Sequence, residues 1–212
     1  MADTELDEDM DEMEDLKCVD VIASTAGYLS IRLLNWINQG TKEYQRVGGE
    51  VWLNRITIKP DNPNCDYHRN FRLAIVYDKQ PVLPDNLSTY VTLPTWSDVF
   101  ESCYADGTTS TSQGVESYEI NRKNRDRFVV FYNKHFMGYQ YGAVGYYPPT
   151  IIDLEIPLGL PTVYQEASGD MSNPRSAAIT TGALYYMVNS SEPSTGMNRI
   201  TGSNVRLYYE DV

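Results

Sequence analysis

Histidine and cysteine are scarce in this 212-residue chain, and each scarcity excludes chemistry. Two histidines, His68 and His135, and three cysteines, Cys18, Cys65 and Cys103, are all the imidazole and thiol groups it has. No HExxH, CxxC, GxSxG, Walker loop or Rossmann glycine pattern occurs, so both histidines read as structural and no enzyme is expected. An odd number of widely spaced cysteines is no disulfide framework and reads as idle thiols in a reducing compartment. No apolar run approaches the ~20 residues of a membrane helix. The acidic start carries no apolar core of a signal peptide, so neither membrane insertion nor conventional secretion is expected. Bases are few: 17 Lys and Arg face 29 Asp and Glu, for a net charge of −12.

That charge is unevenly spread. Residues 1–20 hold ten acids and one base, whereas residues 21–212 hold 19 acids and 16 bases. The first block repels itself and reads as a mobile or interacting tail, with Leu6, Met10, Met13 and Leu16 forming a weak stripe only if it turns helical. The remainder is close to neutral, which argues against simple electrostatic capture of nucleic acid. What the chain does have is tyrosine, 17 against 5 Phe, together with 14 Gly and 11 Pro. That mixture favours strands and turns, with tyrosines suited to half-wet edges.

Strand patterns follow one another with polar or Pro/Gly connections. Residues 18–33 read as an extended, buried lead-in. Residues 34–49 are a polar, Gly-punctuated approach to a segment, 50–59, that alternates: Val51, Leu53, Arg55, Thr57 and Lys59 on one face, Trp52, Asn54, Ile56 and Ile58 on the other. Residues 69–78 are apolar throughout their centre, as in a strand covered on both faces. Residues 81–94 form a long connection. Thr95 or Ser97 then caps a short helix whose Trp96, Val99, Phe100 and Cys103 share a face. Further strands are expected at 128–136, 151–156, 177–188 and 205–210, with turns at 159–163 and loops at 138–149, 164–175 and 189–202. About eight strands with almost no helical periodicity predict an antiparallel sandwich or barrel. Asp61 and Asp66 lack the spacing of a calcium loop and read as a polar turn.

Four bases in six residues, Arg122, Lys123, Arg125 and Arg127, make the one basic cluster, a candidate for phosphate contact or a loop whose charges pair locally. Arg32, Arg55 and Lys59 are further candidates near the alternating strand.

The order of several segments resembles the coat proteins of small icosahedral viruses, namely satellite tobacco necrosis virus and the capsid proteins of small circular single-stranded DNA viruses. The pieces are Leu33-Leu34-Asn35-Trp36-Ile37-Asn38-Gln39-Gly40, then Gln45-Arg46-Val47-Gly48 and the strand after it. Next come Phe71 to Pro81 with its Tyr77-Asp78-Lys79-Gln80-Pro81 ending, Pro94-Thr95-Trp96-Ser97-Asp98-Val99-Phe100, and Asn124-Arg125-Asp126-Arg127-Phe128-Val129-Val130. Gly182-Ala183-Leu184-Tyr185-Tyr186 and Val205 to Asp211 close the series. The resemblance covers residues 28–211. It implies an all-β fold, an eight-stranded antiparallel jelly-roll sandwich, as a shell domain over residues 28–212; the acidic N-terminal arm over residues 1–27, expected to be mobile from its charge, is the part the resemblance does not cover. It implies a virion protein of which sixty copies self-assemble in a T=1 shell, formed in the host nucleus or cytoplasm around a single-stranded genome, DNA before RNA. It also implies calcium at subunit contacts, with Asp211 as a candidate ligand. One departure stands out: the basic arm of such proteins is here replaced by ten acids. The competing readings are a cellular β-sandwich that binds carbohydrate or a protein partner through Tyr and Trp, and a hydrolase with two carboxylates in a cleft.

Overall fold

Alternating and β-branched segments assemble here into two antiparallel sheets, seen in a computed structural model that describes residues 16–22, 29–60, 70–82, 91–101, 119–137, 153–165, 178–190 and 203–212. The strands are β1 Lys17–Ile22, β2 Leu29–Leu33, β3 Glu50–Pro60, β4 Asn70–Asp78, β5 Phe128–Met137, β6 Leu154–Tyr164, β7 Ile179–Thr181, β8 Ala183–Ser190 and β9 Ser203–Asp211. One sheet runs in the order β1-β9-β3-β6-β7 and the other β2-β8-β4-β5. Every pairing between them is antiparallel. The sole α-helix among the described residues is a single turn, α1 Trp96–Val99. The fold is therefore all-β and sandwich-like. No described helix is long and apolar enough to cross a membrane.

The core is shared by both sheets. Val51, Leu53, Ile56 and Ile58 of β3 and Val205, Leu207 and Tyr209 of β9 meet Leu73, Ile75, Leu184 and Tyr186 of the four-stranded sheet in one buried cluster. The Tyr77 hydroxyl donates to the Pro161 carbonyl across the sheets, which fixes the two layers at one end. From Arg72 to Asp78, β4 is buried throughout, as its unbroken apolar centre requires. Trp96, Val99 and Phe100 are buried, and the Arg72 guanidinium sits 5.2 Å from the Phe100 ring. Thr95 caps α1 reciprocally: its hydroxyl accepts from the Asp98 N–H at 3.3 Å, and its own N–H donates to the Asp98 carboxylate at 2.6 Å.

Several sequence-based expectations change. The alternation of β3 is interrupted. A β-bulge between Leu53 and Arg55 shifts the register, so Val51 and Leu53 share the core with Ile56 and Ile58, while Trp52, Arg55 and Lys59 face outward. One extra residue inverts every later side chain. Strict alternation would instead have buried Arg55 and Lys59 beside Leu53. The lead-in at 18–33 is two strands in different sheets, and Lys17–Ile22 lie within the span expected as the arm. Residues 1–15, Asp61, Cys65, Asp66, His68, Cys103 and the 138–149 loop lie outside the described residues.

The turn expected at 159–163 is a continuation of β6 through Pro157 and Pro161. β7 reaches only Val163 and Tyr164, so alongside both prolines β6 is an edge, where a missing N–H is tolerated. The single strand expected at 177–188 is divided at Gly182, φ +79°, where the chain leaves the five-stranded sheet as β7 and enters the four-stranded sheet as β8. A Cβ on Gly182 would stand 2.3 Å from the Pro161 carbonyl and 2.5 Å from the Tyr77 hydroxyl. Gly159, φ +66°, has open space where its Cβ would be.

Tyrosines expected at half-wet edges include five that are buried in the core: Tyr77, Tyr164, Tyr185, Tyr186 and Tyr209. Burial pushes the Tyr77 phenol up to about 12, with the neighbouring Asp78 charge adding to it. Burial likewise raises the other four.

Two predictions follow from the corner and from these phenols. Gly182→Ala combines a left-handed backbone with a backbone clash and is expected to cost about 3 kcal/mol or more. Gly159→Ala carries the conformational term alone, about 1–2 kcal/mol; equal urea midpoints for the two variants would contradict the sheet-switching corner. Because the unfolded tyrosines ionise near pH ~10 and the buried ones do not, the native state holds more protons above that pH. Stability is therefore expected to be retained below pH ~10 and to fall steeply above it, with phenolate absorbance appearing together with loss of β-sheet circular dichroism.

Candidate functional site

The segment between β2 and β3 crosses from one sheet to the other and is held by buried polar groups. Asn35 is fully buried. Its Nδ2 donates to the Thr162 hydroxyl at 2.8 Å and the Gly182 carbonyl at 2.7 Å, and its Oδ1 accepts from the Leu184 N–H at 2.9 Å. The Tyr164 hydroxyl donates to the Asn35 carbonyl at 2.7 Å. On the Tyr164 ring lies the guanidinium of Arg46, 4.1 Å from the centroid and fully buried. Arg46 donates to the carbonyls of Ile37, at 3.2 Å, and Gly48. Its own backbone pairs with Asn38 and Gly40. The Asn35, Gly40, Arg46 and Gly48 positions of the resemblance are thus structural: they shape a rigid loop whose outer residues Lys42, Glu43, Tyr44 and Val47 are exposed.

The outer face of the five-stranded sheet carries Arg55 and Lys59, as the bulge dictates. Arg55 Nη1 pairs with Glu155 at 2.8 Å while its guanidinium lies 4.4 Å from the Tyr208 ring centroid. Lys59 meets Asp153 at 3.3 Å. A third base, Arg206, shares this face and grips Asp20 with two bonds of 2.7 and 3.1 Å. The bond from Arg206 holds the Asp20 carboxyl below the usual carboxylate range. Arg206 was not among the sequence candidates, although the alternation of residues 205–210 places 206, 208 and 210 on one face. Each cation here has a carboxylate partner, so the face is a lattice of compensated charge. Such exposed pairs contribute little to stability, about 0–1 kcal/mol each.

The other candidate bases lie elsewhere. Arg32 is exposed on β2, an edge of the four-stranded sheet. Arg122–Asn124 form a 3-10 turn capped by the Asn121 side chain, beside α1. Arg122 lies 3.7 Å from both Glu101 and Glu119, whereas Lys123 and Arg125 are exposed. Arg127 turns inward and binds the fully buried Asp78 carboxylate through two bonds of 2.8 and 2.6 Å. The Asp78 carboxylate holds the Arg127 guanidinium more firmly protonated than usual. The seven candidates therefore occupy three separate places, and Arg127 is committed to the fold.

Asp211, the candidate calcium ligand, is engaged by protein. One carboxylate oxygen pairs with Lys17 and the other accepts from the Val47 N–H at 3.1 Å. Among the described residues no group of three His, Cys, Asp or Glu side chains is gathered as a metal would require. His135 lies on β5 opposite Arg72.

No protein-family model matches the chain, and no curated protein matches it.

The two kinds of base in the 122–127 segment are separable by experiment. Arg127→Ala strands a buried carboxylate and is expected to cost about 3–5 kcal/mol. Lys123→Ala and Arg125→Ala are each expected to stay within about 0.5 kcal/mol of the parent in urea unfolding. A destabilised Lys123 or Arg125 variant beside an unaffected Arg127 variant would reverse this assignment.

Proposed function

We propose that this chain is the coat subunit of a small icosahedral shell, built on an eight-stranded jelly roll and assembling into a T=1 particle around a single-stranded genome, DNA before RNA. The observation that carries the reading is strand order. With β7 set aside as a short addition, the sheets read β1-β9-β3-β6 and β2-β8-β4-β5. Successive strands alternate between the sheets except β4 and β5, which are neighbours in one sheet, and the last two strands insert beside the first ones, β9 between β1 and β3 and β8 between β2 and β4. Such an order supports the winding of a double Greek key closed into two four-stranded layers. The ordered sequence resemblance over residues 28–211 supports the same reading from a separate direction.

Genome contact in this proposal is modest. The outer face of the five-stranded sheet is charge-compensated. Among the described residues the exposed Lys123 and Arg125 are the bases offered to phosphate in this reading, while Arg122 lies beside Glu101 and Glu119 and Arg32 sits on an edge strand. A protein that neutralises few phosphates has a shallow salt dependence of nucleic-acid binding. Assembly driven by protein contacts, with nucleic acid as a weak passenger, fits these charges better than packaging by a basic arm.

Purified full-length protein, examined by analytical ultracentrifugation and negative-stain electron microscopy, is expected to form closed, uniform particles. These should form without added nucleic acid and persist at high salt. A monomer at every salt, pH and calcium concentration tried would sink the coat-protein reading and leave a partner- or carbohydrate-binding sandwich in its place.

A further inference from the structure

Two exposed apolar patches occupy one end of the sandwich. The first is Tyr44, Val47 and Trp52, which are 49, 61 and 40% exposed. Val47 is tied to the end of β9 through Asp211, which pairs across from Val51, and Trp52 pairs across from Glu210. Around it lie three exposed acids, Glu43, Glu50 and Glu210, and one exposed base, Lys42, whose ammonium lies 5.6 Å from the Tyr44 ring centroid. The second patch is Val82 and Leu93, 50 and 46% exposed, joined by the bridge between Val82 and Thr92. It follows the end of β4, and Lys79 beside it donates to the Asp126 carbonyl at 3.1 Å. Among the described residues, four exposed bases, Lys79, Arg122, Lys123 and Arg125, stand in this region against two exposed acids, Glu119 and Asp126.

The patches share an end because Tyr77, next to the last residue of β4, bonds Pro161, which pairs across from Trp52. They lie on different layers: the first at the β9–β3 ends of the five-stranded sheet, the second beyond β4 and β5 of the other. The first is acid-rimmed and the second base-rimmed. Contact of either patch with its own kind sets like charges together, whereas contact of one with the other sets opposite charges together. The first patch also stands on the loop clamped by Arg46, so little ordering is required when it docks.

We propose that these two surfaces are the halves of one head-to-tail contact between copies of this chain, the acid-rimmed Tyr44–Val47–Trp52 patch of one copy seating on the base-rimmed Val82–Leu93 patch of the next. The inference rests on the self-assembly reading and specifies its contact. The two halves differ and lie on different layers, so a head-to-tail contact between them repeats from copy to copy and forms a ring where the rotation between copies closes.

The test uses full-length Val47→Asp and Leu93→Asp, two substitutions at exposed positions, with unchanged thermal unfolding as the check on folding. Each variant alone is expected to associate at least about thirtyfold more weakly than the parent, the effect of a charge at the centre of an apolar contact. Mixed in equal amounts, they retain one intact half each and are expected to sediment as a 1:1 dimer that grows no further. Glu43→Lys should weaken assembly, and mixing it with Lys123→Glu should restore pairing. Parent-like particles from either Asp variant would overturn this contact while leaving the coat-protein reading standing. Self-pairing of either variant alone would overturn the head-to-tail arrangement. A parent that never assembles would remove both.

Discussion

The Asn35 amide sits where three parts of the chain converge: the exit of β2, the β6 edge at Thr162 and the β7–β8 corner at Gly182. At the point where strands change sheets, the buried Leu184 N–H donates to Asn35, and the Gly182 carbonyl accepts from both the Asn35 amide and the Thr162 hydroxyl. An amide is suited to the place because it donates and accepts at once. A carboxylate would put a charge there, and an apolar side chain would leave the Leu184 N–H without this acceptor, at a cost of about 1–3 kcal/mol. Tyr164 extends the junction by bonding the Asn35 carbonyl and by offering its ring to Arg46. Arg46 then fixes the loop that carries the first exposed patch. A chain of contacts thus leads from the corner between the sheets to the surface proposed for assembly.

The sequence disclosed the elements better than their exceptions. β4, β5 and β9 were legible from apolar or alternating runs, and the Thr95 cap from its hydroxyl before Trp96 and its Asp98 three residues on. The β3 bulge was hidden because a period-two pattern looks unbroken to the eye. Only the mixed company of Leu53 and Arg55 on one supposed face hinted at it. The β6 extension was hidden because Pro157 and Pro161 signal a turn unless the strand is known to be an edge, and edge status depends on how far a neighbour reaches. The corner at Gly182 was hidden because Ala177 to Val188 is apolar throughout. Its apolarity reports burial and says nothing about which sheet does the burying.

The charged residues divide in the same way. A count of bases in residues 122–127 cannot distinguish Arg127, whose partner Asp78 is almost fifty residues away in sequence, from Lys123 and Arg125, which reach solvent. Nor can it reveal that Arg206 joins Arg55 and Lys59, because that depends on register between β9 and β3. Charge density in sequence measures potential only where the charges remain uncompensated after folding.

Compensation also bears on how a coat made of such subunits would hold together. Among the described residues the bases on the outer face of the five-stranded sheet are each paired with a carboxylate, and Asp211 and Lys17 neutralise one another beside Val47. A shell held by its genome requires unspent cations on an inner surface, because the favourable term is release of counterions from phosphate. A shell held by its own contacts requires apolar surface at subunit edges and opposite rims to set orientation. The described surface has the second set of features and little of the first. The ten acids of the N-terminal block are consistent with that economy: they cannot draw in phosphate, so in the proposed coat the energy of closure would come from one subunit seating on the next.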